Sequence, residues 1–351
     1  HDPEPGTMKA RMNVRGNELW HEIAPQLDIP LDQTGALIVA VGPEEQAALH
    51  PLLERGTANG VKGLEILTRE QVLEMEPHLN PDVTGALWTP SAAVVDPFQG
   101  VLGAAEHAAM NGVEFLLDTE VRSAVVEDGA LVAVETSEGR IAADWFINAA
   151  GVHSDEVLHM AGDRPDFEIT ARRGEYFVFD ESRFRVSNVL FPMPSKKGKG
   201  ILVTTTTHGN TMIGPNSDTI ADKEDHAVTE HGMSEILSGA TRLVPGVSPR
   251  DVIATFAGLR ATGNYRPGDH GRDFLIEVSG SVRGLVNLAG IESPGYASAP
   301  AIAEHVGELL RGQGVKLTPR SDWVARRTRI PRFKSMTHEQ RAEIIAERPA
   351  F

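Results

Sequence analysis

The sequence contains no cysteine among its 351 residues. This absence excludes disulfide bonds, thiolate zinc sites, cysteine nucleophiles and cysteine-held iron–sulfur clusters within the chain. No apolar run approaches the ~20 residues that a membrane-spanning helix needs, and no signal peptide is visible at the start. A cytoplasmic protein without a transmembrane segment is therefore expected.

Positive charge is also scarce. Lys and Arg number 33 against 49 Asp and Glu, which gives a formal net charge of −16. Because this excess repels phosphate backbones, nucleic acid is not an expected partner. The 13 histidines form no H-E-x-x-H motif, so no metal site is predicted.

The composition that remains is that of a globular protein, with 41% hydrophobic and 23% charged residues. At roughly 150 residues per domain, the length indicates two domains. The first half predicts a strand at 36–41, helices at 44–60, 69–76 and 97–111, a strand at 113–117, an antiparallel meander at 123–144 and a strand at 145–148. The inner face of the third helix is predicted to consist of Phe98, Val101, Leu102, Ala105 and Ala109.

The second half is predominantly of β type between 165 and 290, with one helix at 233–243. A buried strand at 285–291 and a tight turn precede a helix that Pro300 is predicted to begin and Gly312 to end. Beyond Leu317 the chain is irregular and locally basic. Its Arg326, Arg327 and Arg329 could dock an acidic redox partner, although a solvated linker is the favoured interpretation.

Two junctions between a strand and a glycine carry the first functional signal: NAAG at 148–151 and NLAGIESPG at 287–295. Small residues at the end of a buried strand let backbone approach a ligand, and a following helix turns free amides toward an anion. Either junction alone is more often an ordinary βα turn, but together they favour a cofactor site. The dinucleotide fingerprint G-x-G-x-x-G does not occur. Either there is no dinucleotide domain, or its first βαβ unit lies before His1.

Seven spaced segments extend this signal over nearly the whole chain. They are VVDPFQGVLGAAEHAAMNGVEFLLDTEV, INAAGVHSDEV, RRGEYFVFD, ILVTTTTHGNTMIGPNSD, FAGLRATGN, DFLIEV and NLAGIESPGYASAPAIAEHV. In this order they resemble the FAD-dependent oxidoreductases of the D-amino-acid oxidase superfamily, in the branch of glycerol-3-phosphate dehydrogenase-like and L-2-hydroxyglutarate dehydrogenase-like enzymes. The opening resembles the segment that follows the fingerprint in that family, and the ending resembles a linker that leads to an iron–sulfur domain in some members.

The resemblance implies an α/β fold with a discontinuous, glutathione-reductase-like FAD-binding domain and a β-rich α+β substrate domain. It assigns 1–36, 96–162 and 271–317 to the FAD-binding domain, 37–95 and 163–270 to the substrate domain, and 318–351 to a linker. The cofactor-binding residues that it implies are Val121, Ala149, Ala150, Gly151, Gly290, Ile291, Glu292, Ser293, Pro294 and Gly295.

The resemblance also implies the substrate-binding residues. Arg260 matches the arginine that clamps an acidic group through two parallel hydrogen bonds, with Ala261 where the family often has Pro. From the residues alone, a lone Arg after a strand is more often a surface ion pair. His208 is the candidate proton acceptor, the alternative being a histidine that hydrogen-bonds a turn. Glu175 and Tyr176 are candidate cleft residues, or plain sheet positions.

The predicted reaction is oxidation of a small anionic 2-hydroxy compound by hydride transfer to FAD, with glycerol 3-phosphate the first choice. A quinone or an iron–sulfur partner is expected to accept the electrons. One alternative is an L-2-hydroxyglutarate or amino-acid oxidase or dehydrogenase, since a carboxylate suits the same arginine. Another is a non-catalytic fragment or scaffold subunit, because the fingerprint is absent.

Overall fold

The computed structural model describes residues 3–164, 166–183, 185–194, 200–264, 273–328, 332–333 and 336–349. The helices are α1 (Met8–Gln26), α2 (Pro43–Ala58), α3 (Arg69–Met75), α4 (Pro97–Met110), α5 (Ser154–Met160), α6 (Glu230–Leu243), α7 (Gly295–Gly312) and α8 (His338–Glu347). Short 3₁₀ turns lie at Gly151–His153 and Pro249–Asp251.

The strands come from both halves of the chain. They are β1 (Leu31–Asp32), β2 (Ala36–Val41), β3 (Glu65–Thr68), β4 (Val83–Thr89), β5 (Val94–Val95), β6 (Val121–Glu127), β7 (Ala130–Thr136), β8 (Gly139–Ala142), β9 (Phe146–Asn148), β10 (Ile169–Phe179), β11 (Val189–Pro192), β12 (Leu202–Thr205), β13 (Thr211–Gly214), β14 (Asp218–Ile220), β15 (Val252–Gly263), β16 (Leu275–Val278) and β17 (Leu285–Ala289).

A large sheet is built from the segments predicted for the substrate domain. Its strand order is β15-β10-β13-β12-β11-β2-β4-β3, with β14 on the same side of β10 as β13. Helix α6 covers one face, where Phe177, Phe179 and Ile213 are fully buried together with Ile236 and Leu243. This face therefore forms the larger of the hydrophobic cores.

Strands β10 and β15 present opposite kinds of side chain on their two faces. Residues of β10 with odd numbers, from Ile169 to Phe179, are all buried, whereas Thr170, Arg172, Tyr176 and Val178 keep some exposure. Successive side chains of a strand point to opposite faces. Because Arg172 pairs with Arg260 in the β10–β15 register, both arginines lie on the face away from α6.

A smaller sheet of order β16-β17-β9 is built from the segments predicted for the FAD-binding domain. Helices α1 and α7 pack on it through Met12, Leu19, Ile302 and Val306. The ribbon β1–β5 pairs Leu31 with Val95 close to the predicted domain boundaries. A third sheet of order β6-β7-β8 also comes from the segments assigned to the FAD-binding domain. The division into domains stays a prediction.

Helix α7 begins five residues before the predicted start. Pro300 lies inside the helix and has no N–H to give to the carbonyl of Tyr296 one turn earlier. The indole Nε1 of Trp20 on α1 donates to that carbonyl instead, at 3.2 Å. The prediction of a helix start at Pro300 is therefore wrong, because a neighbouring helix replaces the missing hydrogen bond.

Two further predictions need correction. Helix α4 ends as predicted, with Gly112 at a φ of 88°, but it packs inward through Gly100 and Gly103, while Phe98, Val101 and Leu102 are exposed. Residues 113–117 form no strand, and their apolar side chains are exposed as well. The helical period of α4 correctly indicates an apolar face, but it is the face of small residues, Gly100 and Gly103, that packs against Tyr296 and Ile29.

Within the described ranges, no helix is long and apolar enough to cross a membrane.

The close approach of α1 to α7 depends on Gly16. A Cβ at this position would overlap the carbonyl oxygen of Ala297 and lie 2.9 Å from the Cα of Ser298. We expect Gly16→Ala to lower the free energy of unfolding by about 2 kcal/mol, because the helices must separate. Gly312→Ala, in open space at the end of α7, serves as control and should change it by less than about 0.5 kcal/mol. If chemical denaturation gave the same free energy of unfolding for both variants, the close contact of α1 with α7 at Gly16 would not be required for stability.

Candidate active site

The two glycine junctions lie side by side. Strands β9 and β17 are parallel neighbours, with Phe146 opposite Leu285 and Asn148 opposite Asn287. The turns that follow them, 149–151 and 290–295, therefore leave the same edge of the sheet on adjacent strands, ~4.8 Å apart. The sequence-based prediction that these distant segments meet is confirmed.

The geometry of both turns suits a dinucleotide cofactor. Gly151 has a φ of 60°, is exposed, and would carry a Cβ into open space. Gly290 has a φ of 63°, and Ala149 and Ala150 are also exposed. The 18-residue helix α7 follows the second turn and has no side-chain cap at its N-terminus. Backbone amides at such an uncapped end are suited to an anionic group.

Glu292, in the second turn, connects the small sheet to the large one. One carboxylate oxygen pairs with Lys9 Nζ at 3.0 Å, and the other accepts from Thr262 Oγ at 2.8 Å and faces Arg172 Nη1 at 3.4 Å. Burial opposes ionisation of this carboxyl, but Lys9, Thr262 and Arg172 outweigh it and hold the pKa of Glu292 below its usual value. The loop is thus pinned against β10 and β15 by an ionised side chain.

Arg260 lies at the centre of the open face of β10 and β15. Its Nη2 donates to the carbonyl oxygens of Arg173 and Asn216, at 3.1 and 2.6 Å, and its side chain covers Gly174. Burial lowers the pKa of Arg260 from its ordinary value, Tyr176 opposes this change, and Arg172 adds to it. No carboxylate within the described ranges forms an ion pair with Arg260, so its charge is available to a ligand.

Tyr176 lies on the same face as the two arginines, and its role as a cleft residue stays a prediction. Its ring stacks on that of Phe256 with centroids 4.9 Å apart, and burial raises the pKa of Tyr176. The phenol therefore stays neutral at physiological pH. Together with the exposed Phe256, it gives the face an apolar wall beside the two arginines.

Glu175 requires a correction, since the structure turns it away from this face. It is fully buried and accepts from the Thr229 amide at 2.7 Å and from Thr229 Oγ at 2.9 Å. Thr229 is the N-cap of α6. A carboxylate without solvent exposure cannot line an open cleft. Because Glu175 binds the N-cap residue Thr229, it anchors the start of α6.

His208 is also placed differently from the prediction. Its side chain is 70% exposed, and its Nε2 lies 3.2 Å from Asp96 Oδ2 at the start of α4. Arg260 lies opposite Arg172 on β10. The β12–β13 hairpin, whose loop carries His208, pairs with β10 only as far as Val178. At ~3.3 Å per residue, Val178 lies ~20 Å along β10 from Arg172. His208 and Arg260 do not share a site, so His208 cannot take a proton from a substrate held by Arg260.

The remaining predicted residues are dispersed. Val121 begins β6, where it pairs with Thr136 and is partly exposed. Arg326 is exposed, but Arg327 is buried, pairs with Glu106 at 2.5 Å and donates to the carbonyl of Leu27. Arg327 therefore fastens the C-terminal segment to α4 and does not belong to a solvated linker. Arg329 lies outside the described residues.

Sequence reasoning missed Lys9, Arg172, Phe256 and Thr262. The alternation of a strand was a usable signal for Arg172, because a residue four positions before Tyr176 must lie on the same face. Phe256 and Thr262 follow in the same way from Arg260. Lys9 had no such signal, since its contact with Glu292 joins residues 283 positions apart.

Fold and site together are those of a cofactor-dependent enzyme. The ends of two parallel strands suit a dinucleotide, and they lie next to an antiparallel sheet that carries Arg172 and Arg260 on one face. A family model described as FAD dependent oxidoreductase matches residues 1–309. The chain is 34% identical over its whole length to a glycerol 3-phosphate dehydrogenase of Caloramator mitchellensis, of which it covers 72%. It is 30% identical to a glycerol 3-phosphate oxidase of Mycoplasma pneumoniae, over 92% of this chain and 84% of that one. The protein belongs to this family of FAD-dependent oxidoreductases.

Solved structures agree with this membership. L-alpha-glycerophosphate oxidase of Mycoplasma pneumoniae, solved with FAD bound, superposes with a TM-score of 0.84 at 29% identity, over 93% of this chain and 85% of that one. Glycine oxidase of Bacillus cereus, at 20% identity and a TM-score of 0.75 over 86% and 82%, shares the fold. The α/β fold and the FAD cofactor predicted from the sequence are confirmed.

The anchoring of α6 by Glu175 is testable. Glu175→Ala should lower the free energy of unfolding by about 2 to 4 kcal/mol, because it removes the acceptor of the Thr229 amide and hydroxyl and the buried carboxylate that faces the Arg173 guanidinium at 3.6 Å. Glu235→Ala, exposed on the same helix, is the control and should change it by less than about 0.5 kcal/mol. If the Glu175→Ala protein had unchanged stability but a raised KM, the anchoring role would be refuted and a role of Glu175 in substrate binding supported.

Proposed function

We propose that this protein oxidises glycerol 3-phosphate at the carbon that bears the secondary hydroxyl, with FAD as the cofactor. The observation that carries this proposal is the open face of β10 and β15, where Arg172 and Arg260 lie beside the turn 290–295 at the end of a parallel strand. The names of the two relatives at 34% and 30% identity support the choice of substrate.

In this proposal the residues of the chain bind FAD and the substrate and orient them relative to each other. The turns 149–151 and 290–295 hold FAD through backbone amides, and the N-terminus of α7 favours negative charge beside them. Val121 is retained as a further cofactor contact. The chemistry that FAD supplies when bound would be acceptance of a hydride from the substrate carbon, and the proton of the hydroxyl group would pass to water. A quinone or an iron–sulfur partner is proposed to take the electrons onward.

Arg260 holds the anionic group of the substrate. Its guanidinium is fixed by three backbone carbonyl oxygens, so little side-chain freedom is lost when an anion binds. Two parallel hydrogen bonds from a planar donor would set the position of the neighbouring carbon as well as bind the anion. Tyr176 and Phe256 exclude water from one side of this position.

L-2-hydroxyglutarate is the second candidate substrate. A mitochondrial L-2-hydroxyglutarate dehydrogenase of Mus musculus is 27% identical over 87% of this chain and 76% of that one, and a carboxylate fits the same arginine. Initial rates on glycerol 3-phosphate, L-2-hydroxyglutarate and simple amino acids separate the candidates. The highest kcat/KM for glycerol 3-phosphate is the expected result, and a higher value for either of the others would overturn the proposal.

Replacement of Arg260 tests the anion clamp directly. Arg260→Gln should lower kcat/KM for glycerol 3-phosphate by about tenfold or more, mainly through KM, because a charge-assisted contact is lost. The flavin absorbance band should be retained, since the cofactor-binding turns are untouched. Arg250→Gln, exposed near the start of the same strand, makes the same charge change and should leave both constants within about twofold. Unchanged kinetics in Arg260→Gln would refute this role.

A further inference from the structure

Three cations converge where the turn 290–295 meets the large sheet. Lys9 and Arg172 share the single carboxylate of Glu292, at 3.0 and 3.4 Å, and Arg260 has no ion-pair partner among the residues that the structure describes. Lys9, Arg172 and Glu292 are largely buried, with side-chain exposures of 15%, 16% and 9%. Against burial, which lowers the pKa of Arg260, Glu292 and Asp218 both act to raise it, but neither forms an ion pair with it among the described residues. This guanidinium without an ion-pair partner points to a bound anion.

Arg172 and Arg260 are placed so that both can donate hydrogen bonds to one anion. They lie directly opposite each other in the β10–β15 register and on the same face. Arg172 is fixed by Ser217 Oγ, which accepts from its Nε at 3.2 Å and from its Nη2 at 2.5 Å. A guanidinium has five N–H donors. Within the described part of the chain, the Nη1 group of Arg260 and one N–H on each Nη of Arg172 have no acceptor.

Two adjacent guanidinium groups repel each other; Glu292 and Asp218 offset part of this repulsion, and an anion bound between the two groups would offset more of it. Arg172 indeed helps to lower the pKa of Arg260. A single carboxylate can satisfy one planar fork, whereas a phosphate monoester carries up to two charges and three terminal oxygens and can accept from both arginines at once. The pair therefore distinguishes dianions from monoanions of similar size.

We propose that Arg172 is a specificity-determining residue, and that together with Arg260 it forms a site for a dianionic phosphate monoester in preference to a monocarboxylate. This inference rests on the proposed function for the identity of the substrate, but the site itself is defined by residues of this chain. Arg260 alone suffices for a carboxylate, and Arg172 adds the contacts that only a phosphate can use.

Direct binding of small anions tests the site without turnover. The purified flavoprotein is titrated with inorganic phosphate and, separately, with acetate by isothermal titration calorimetry near pH 8. The wild-type protein should bind phosphate more tightly than acetate. Arg172→Gln should weaken phosphate binding by about tenfold or more and leave acetate binding within about threefold, whereas Arg260→Gln should weaken both. Arg250→Gln is the matched control and should change neither.

Two outcomes would overturn the inference: phosphate binding by Arg172→Gln within about twofold of the wild type, or an equal loss for phosphate and acetate. Circular dichroism checks that the variant is folded. If Arg172→Gln does not fold, Arg172→Lys provides the test instead, because lysine keeps the positive charge beside Glu292 but lacks the planar guanidinium group. Phosphate affinity should then fall by about threefold or more, and an unchanged affinity counts against the proposal.

Failure of the inference and failure of the proposed function give different results. Phosphate binding that depends on Arg172 in a protein that does not oxidise glycerol 3-phosphate would leave the anion site and refute the function. Oxidation of glycerol 3-phosphate with phosphate binding that is independent of Arg172 would leave the function and refute only the site. In an active enzyme, Arg172→Gln should also lower kcat/KM for glycerol 3-phosphate more than for L-2-hydroxyglutarate.

Discussion

The parallel pairing of β9 with β17 is the constraint on which the candidate site depends. It joins segments about 140 positions apart and makes both strands end at one edge of the small sheet. Because a parallel pair leaves its carboxyl ends side by side, the two glycine turns become neighbours without any contact between their own side chains.

The position of the second turn relative to the large sheet depends on helix packing and on one carboxylate. Gly16 lets α1 approach α7, and Trp20 satisfies the carbonyl that Pro300 leaves free. These contacts set where α7 begins and hence where the turn 290–295 lies. Glu292 then attaches the turn to β10 and β15 through Arg172 and Thr262, so the surfaces proposed to bind cofactor and substrate are held together by buried polar contacts.

Alternation along β10 divides structural from functional side chains. Glu175 and Tyr176 are adjacent, but one anchors α6 within the core while the other faces the site. The same rule places Arg172 beside Arg260 on the open face. The odd positions of this strand thus stabilise the large sheet, and its even positions supply side chains to the proposed site.

The sequence by itself determined the family, the FAD cofactor, the glycine turns and most of the helices and strands, because these depend on local patterns and on motifs in a fixed order. It did not determine which face of α4 is buried, where α7 starts, or that His208 and Arg260 lie apart. Those outcomes depend on neighbours distant along the chain: Tyr296 and Ile29 against the glycines of α4, Trp20 beside Pro300, and the strand register that separates the hairpin from the arginines. Only tertiary structure decides them, because local periodicity locates an apolar or polar face but carries no information about which element will cover it.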